Sequence, residues 1–371
     1  RPELDHPSTP HRCGTFVVTA TSSPHRWGHG PAATLAAVDA PLIDFAVAAR
    51  TGPAPVPRGP ALSRAEASDV VTGLRAAAEA SVEHVARVTQ LASPPEAGPM
   101  LVLDRPTWLA ANIDMVEALM TDAAGPARDA EGVRERSEAV ANGVQLGGAL
   151  ALMSSRILGQ YLPFGPPRLV LVAPNVAKVE RQLGVNAADF RLWICLHEQT
   201  HRLQFAQAPW LREHLTSAMG ELIDADSDPA DQDDTPRRLK LPSSLLDVVT
   251  TPAQRVVFDR INAVMSLMEG YADVMMDRVG PDVVPTVATI RERFEGHRAR
   301  GGWVRVVNKL MGMDLKLAQY RDGAAFCRAV IDRVGVAGLN AVYESPGLLP
   351  TLEEIHHPDV WLARAHPEGV V

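Results

Sequence analysis

Residues 197–201 read His-Glu-Gln-Thr-His. On a helix, positions i and i+4 share one face a turn apart, so two imidazoles there can reach a single metal ion. The Glu between them projects about 100° from the first His. It can sit over the metal's open position and take a proton from a water. Zinc lowers the pKa of such a water toward neutrality, which makes hydroxide available as a nucleophile. This is what an H-E-x-x-H helix does: His197 and His201 as ligands, Glu198 as general base.

Two histidines on a helix also occur where they only make hydrogen bonds, so a third ligand is decisive. A His six residues beyond the second His, with an intervening Gly, is absent, because those positions hold Gln207 and Gln204. The reversed H-x-x-E-H is absent too. A later Glu followed four residues on by Asp is present as Glu269-Gly-Tyr-Ala-Asp273. The spacing puts both carboxylates on one helical face. Glu269 can complete a His-His-Glu set, and Asp273 can accept the N–H of a ligand His and fix its tautomer. Val264, Leu267, Met268, Ala272, Val274, Met275 and Met276 surround the pair with apolar residues. Unpaired carboxylates there would be costly, and a buried cation offsets that cost.

The elements that must position these residues are mostly helices. Asn186, with Asp189 three residues on, caps the helix carrying His197, which runs to about Ala206. Phe190, Trp193, Ile194, Leu196, Leu203 and Phe205 make its flanks apolar, and Cys195 faces away from the ligands into the core. Pro252 opens the helix carrying Glu269, which reaches about Val279. Upstream, Ser63 and Glu66 form a capping box for a helix to about Leu91. Pro106 opens another helix to about Met120. Glu131–Tyr161 reads as a long helical stretch, with a possible break at Gly147–Gly148. Short strands are expected at Met100–Leu103 and at Arg168–Ala173, the latter either central or open to an extended ligand. Asn175–Leu183, residues 211–223, and later segments near 283–297, 302–314 and 316–334 read as helices. The prolines of Gly52–Pro60 mark a linker or extended wrap. The acidic stretch Asp224–Pro236 reads as a surface loop, without the spacing or glycine of a calcium loop. The fold expected is therefore α+β and mainly helical, with a small β-sheet packed on the H-E-x-x-H helix.

Composition narrows the function classes. The 371 residues are 46% hydrophobic and 22% charged, as in a globular protein. A net charge of −8 offers no basic excess for a phosphate backbone, and 5% aromatics offers no stacking platform, so nucleic acid is not an expected partner. Three cysteines, Cys13, Cys195 and Cys327, form neither a disulfide framework nor a Cys-type zinc site. A reducing, cytoplasmic setting fits them. No secretory signal is read, since the apolar run Thr15–Ala20 is too short. No membrane partner is expected either, because the best span, Gly143–Leu162, carries Gln145, Arg156 and Gln160. Residues 1–40 read as an extension and 41–371 as one domain, with sub-lobes at 41–165 and 166–371 as an option.

The motifs resemble those of the glutamate-type zincins, H-E-x-x-H followed by E-x-x-x-D. From about Leu42 to Ala365 the chain is similar to the zincin-like metallopeptidase type 2 family of bacteria, often associated with biosynthesis of the deazaflavin coenzyme. The segments carrying the similarity are Leu103-Asp-Arg-Pro-Thr-Trp108, the His197 helix, Glu269–Asp273, Gln319-Tyr320 with Gly323, and Leu349-Pro350-Thr351 through Trp361. The resemblance implies zinc and a zincin-like helical scaffold, and leaves the substrate open.

The function expected is a zinc-dependent hydrolase acting on peptide or other amide bonds. A zinc-stabilised binding or scaffold protein and a hydrolase of a small-metabolite amide are the alternatives. A peptidase also needs a donor for the oxyanion besides the metal. Tyr320 is the candidate, since Tyr271 points away from the Glu269 face. A packed, structural Tyr competes with that role for Tyr320. His356, His357 and Arg321 are open as site residues or surface residues, and His84 and His214 read as structural or exposed.

Overall fold

The computed structural model describes residues 42–92, 98–126, 130, 132–224, 251–300 and 316–367, without the side chains of 297–300 and 316–321. These residues fall within the unit Val38–Val371. The extension, Cys13, the acidic stretch beyond Asp224 and the helix expected at 302–314 lie outside the described residues.

Helices dominate: α1 (Phe45–Thr51), α2 (Arg64–Thr89), α3 (Arg105–Ala124), α4 (Gly132–Ser154), α5 (Ala173–Leu183), α6 (Ala187–Gln207), α7 (Trp210–Asp224), α8 (Pro252–Val279), α9 (Val287–Arg300), α10 (Lys316–Leu339), α11 (Leu352–His356) and α12 (Pro358–Ala365). Three strands, β1 (Met100–Leu103), β2 (Gly159–Leu162) and β3 (Arg168–Val172), form a mixed sheet of order β1-β3-β2. β1 runs parallel to β3, with Met100 opposite Leu169, and β2 runs antiparallel, with Gly159 opposite Leu171. The mainly helical α+β fold expected from sequence is the one observed.

The sheet separates two apolar clusters, and the two-residue period of a strand explains the split. Leu169 and Leu171 of β3 and Tyr161 of β2 join the larger cluster, with Phe190, Ile194, Leu196 and Leu203 of α6 and Leu267 and Tyr271 of α8. Val170, Val172 and Leu162 turn the other way, onto Trp108 and Leu109 of α3 and Leu146 and Leu150 of α4. Burial on both faces is why Arg168–Val172 is apolar without alternation. β3 is central, so it cannot offer an edge to an extended ligand.

Local chemistry sets the ends of the helices that matter. Ser63 and Glu66 make the reciprocal capping box of α2, and Thr251 and Gln254 make one for α8. Asn186 Oδ1 accepts from the Asp189 N–H at 3.0 Å to start α6. Asp189 does not close a box there. Its Oδ2 accepts from the N–H and hydroxyl of Thr286 at 2.9 and 2.6 Å, tying α6 to the start of α9. α9 begins at Val287 rather than near 283, because Pro281 and Pro285 hold the preceding residues in turns.

The stretch Glu131–Tyr161 is not one helix. α4 runs unbroken through Gly147–Gly148, where the missing Gly147 side chain admits α1. It ends at Ser154, whose hydroxyl bonds back to the Ala151 carbonyl. Asn175 Nδ2 then takes the carbonyls of Ser154 and Ile157 at 2.7 and 2.6 Å. The chain is free to extend into β2. The Pro-rich stretch is a wrap: Arg105 donates to the carbonyls of Pro57 and Arg58 and to Asn175 Oδ1.

Candidate metal centre

α6 packs against β2, β3, α2 and α8, which brings the motif helix beside both the sheet edge and the Glu269 helix. One turn of α6 sets the rings of His197 and His201 edge to face, with centroids 4.6 Å apart. Their Nε2 atoms lie 3.0 Å apart. Glu269 of α8 reaches both, Oε2 at 3.4 Å from His197 Nε2 and Oε1 at 3.5 Å from His201 Nε2. The three donor groups offer ligand atoms all within 4.8 Å of one another. Two imidazole nitrogens and a carboxylate oxygen make the donor set suited to zinc with a position left open. The centre is reachable: the His197 and Glu269 side chains are 28% and 30% exposed, that of His201 12%.

Three features show that these residues fit a divalent cation. The donor atoms of the two imidazoles and the carboxylate converge on one point. His201 Nδ1 meets Gln204 Oε1 at 2.9 Å, which leaves Nε2 as the lone-pair nitrogen facing the centre. Glu198 lies buried alongside, off the ligand set.

The titration behaviour follows from this crowding. Burial pushes the Glu198 carboxyl up to about 7; His197 lowers it, Glu269 raises it, and the Tyr161 backbone N–H, which it accepts, lowers it. Burial acts to lower His197, yet the hydrogen bond and charge of Glu269, with Glu198 and Asp273, outweigh it and hold the imidazole up at about 9. Burial keeps His201 below the usual histidine range. One cation in the cluster is favoured, and a second is not.

β2 holds Glu198 in place. The Val172 N–H donates to the Leu158 carbonyl at 2.8 Å, so alternation along the antiparallel pair turns the N–H and C=O of Gly159 and Tyr161 toward the open edge. Tyr161 uses its N–H on Glu198. A Cβ at Gly159 would lie 2.6 Å from Glu198 Cγ and 3.0 Å from Oε1, so only glycine leaves room for the carboxylate. α8 is placed by a similar close approach. A Cβ at Gly270 would lie 2.2 Å from the Gly323 carbonyl carbon, and one at Gly323 would lie 2.0 Å from Ser266 O. Bare backbone on both sides lets α8 and α10 touch beside Glu269.

Asp273 does not meet a ligand histidine. It accepts from Arg291 at 3.0 Å and from Arg328 at 3.3 Å. One helical turn carries it about 6 Å along the axis of α8 from Glu269, where Arg291 of α9 and Arg328 of α10 reach it. Its charge still raises His197, but His197 Nδ1 faces Met276 Sδ at 3.3 Å. Tyr271 is fully buried, with its hydroxyl on Asn340. Tyr320 lies on α10, but its side chain is outside the described ones. His356 bonds Asp322 and the Leu352 carbonyl, His84 bonds Arg87, and His214 stacks edge-on to Trp210. Cys195 and Cys327 are buried.

Sequence reasoning missed Gln204, Met276, Gly159 and the Tyr161 N–H. Gln204 carried a signal, since it stands three residues after His201 on the same helical face. The contacts of Gly159 and Tyr161 carried none, because they depend on where β2 lands.

Comparison with known proteins agrees with this geometry. The model of a family of zincin-like metallopeptidases matches residues 43–362. No curated protein matches the chain. Among solved structures, the crystal structure of a candidate hydrolase with a novel fold from Chloroflexus aurantiacus is 32% identical, with a TM-score of 0.66, over 88% of this chain and 100% of that one. Among the described residues, no helix is long and apolar enough to cross a membrane.

Proposed function

The chain belongs to the zincin-like metallopeptidase family, and from that premise we propose that it is a zinc-dependent hydrolase of peptide or other amide bonds, with Glu198 as its general base. The family and the hydrolase-like neighbour support a metallohydrolase; the ligand set, the base and the bond class are the proposal. The observation that carries it is the convergence of His197, His201 and Glu269, with a buried carboxylate of raised pKa beside them but outside the ligand set.

His197, His201 and Glu269 would hold the zinc, which when bound supplies Lewis acidity toward a carbonyl and toward water. The chain's own residues do the rest. Glu198 takes the proton of the attacking water and passes it to the leaving nitrogen. Burial raises its carboxyl above the ordinary carboxylate range, which favours its holding the proton between the two transfers. The Tyr161 N–H orients the carboxylate so that one oxygen stays available. The Gly159 N–H and C=O face the same edge, where an extended substrate backbone can add to the sheet. Tyr320 is the proposed donor to the oxyanion.

Metal analysis of the purified protein, paired with Glu198→Gln, tests this. One equivalent of zinc is expected in both forms. Turnover of a peptide-library substrate should fall by about 10²–10⁴-fold in the variant, the range typical of losing a general base. A variant as active as wild type would remove Glu198 from the mechanism. A zinc-loaded wild type that cleaves no amide would point to the non-catalytic scaffold instead.

A further inference from the structure

We propose that Gln204 is a positioning residue that locks His201 in the tautomer with its proton on Nδ1, and that it ties this ligand to the helix carrying Glu269. The proposal rests on His197, His201 and Glu269 being zinc ligands, as proposed above.

The amide of Gln204 is fully buried and can sit in only one orientation. Its Nε2 lies 3.1 Å from the carbonyl oxygen of Met268 and 2.9 Å from the hydroxyl of Tyr343. A backbone carbonyl only accepts, so the NH2 end must face it. A flipped amide would set oxygen against oxygen there. The Oε1 end therefore faces His201 Nδ1 at 2.9 Å. An oxygen acceptor at that distance requires the proton on Nδ1, and the Nε2 lone pair is left pointing at Glu269 and His197.

The anchor of this lock is the peptide immediately before Glu269. One side chain thus joins the α6 ligand to the backbone that delivers the α8 ligand. Tyr343 steadies the far side: its ring packs edge-on to Tyr271 with centroids 5.5 Å apart, and its carbonyl accepts from Trp210 Nε1 at 3.1 Å. Among the described residues His197 has no equivalent: its Nδ1 meets the thioether of Met276, a weak acceptor. The two imidazoles are held unequally, and Gln204 accounts for the difference.

The test compares Gln204→Met, which keeps the volume and loses the acceptor, with Gln204→Glu, which keeps the acceptor. Zinc affinity is measured by competition with a chromophoric chelator, and the His201 tautomer by ring ¹⁵N shifts in the zinc-free protein. Wild type should show the Nδ1–H tautomer. Gln204→Met should populate Nε2–H and weaken zinc binding by about 10–100-fold, the usual effect of losing the partner of a ligand histidine. Gln204→Glu keeps the acceptor but sets an oxygen against the Met268 carbonyl, so it should keep the Nδ1–H tautomer and lose less zinc affinity than Gln204→Met. Unchanged tautomer and affinity in Gln204→Met, or equal losses in both variants, would overturn the proposal and leave Gln204 a packing residue. If Gln204→Met does not fold, Tyr343→Phe should shift both readouts in the same direction by a smaller amount, and no shift there would also overturn it. Wild-type protein that binds no zinc would instead remove the zinc site itself, whatever the tautomer.

Discussion

On α6, one turn of helix is enough to bring two ligand nitrogens within 3.0 Å of each other. On α8, Glu269 comes from 68 positions beyond His201 (201 to 269), and nothing local brings it there. Its arrival depends on Gly270 and Gly323 letting α8 and α10 touch, and on Gln204 bonding the Met268 carbonyl. The spacing of the two histidines in the α6 half is held by hydrogen bonds that any helix makes. The α8 half is held by packing against bare backbone, which tolerates no added atom. A candidate metal centre assembled this way has one robust side and one fragile side, and the fragile side carries the charge that would favour a cation.

Substitutions can pull the two halves apart. Glu269→Ala should have the largest effect, leaving both imidazoles in place yet weakening zinc binding by more than the roughly 10–100-fold cost of losing a partner behind a ligand. Affinity near that of wild type would show that the α6 half binds alone. Gly159→Ala comes next. It should push the Glu198 carboxylate off the Tyr161 N–H and cut kcat by about 10²-fold, as misplacement of a reacting group by about 1 Å does, while zinc content stays at one equivalent. Gly270→Ala should destabilise the fold by about 1–3 kcal/mol through overpacking, seen as a lower urea midpoint, and should weaken zinc binding with it. The contrast is Gly148→Ala on α4, where a Cβ meets nothing within 4 Å. That change should stabilise by about 0.4–1 kcal/mol through the unfolded chain.

The smallest effect expected is a pH dependence of the zinc-free protein. His197 sits at about 9 when folded against an ordinary 6.5, so the folded state binds the extra proton. The stability this contributes is present below 6.5 and is lost as pH rises through about 9. Glu198, at about 7 against 4.5, acts in the same sense between those values. His201, held below 6.5, acts oppositely, but only on the acid side. The urea midpoint should therefore fall from pH 6.5 to 8.5. His197→Gln should show a shallower fall, and saturating zinc should abolish it. A midpoint that rises over this window without zinc would contradict the charge balance assigned to the cluster.

Much of this was legible in the residues. His197, Glu198 and His201 follow from helical spacing, and the ends of α2, α6 and α8 from Ser63, Asn186 and Pro252, because caps and periodicity act over three or four residues. The failures were non-local. Tyr161 was read as the end of a helix, but Asn175 takes the carbonyls that end α4 and the register with β3 makes the segment a strand. Asp273 was read as a histidine partner from its spacing to Glu269, but Arg291 and Arg328, on other helices, claim it.

The order of residues along the chain determined which side chains can act and which of them share a helical turn, since those relations are set by backbone geometry over a few residues. Which nitrogen of His201 carries its proton, where Glu198 rests and whether Glu269 arrives at all were decided by contacts between segments far apart in sequence. Such contacts depend on the shape of the whole core, which no window of neighbouring residues contains.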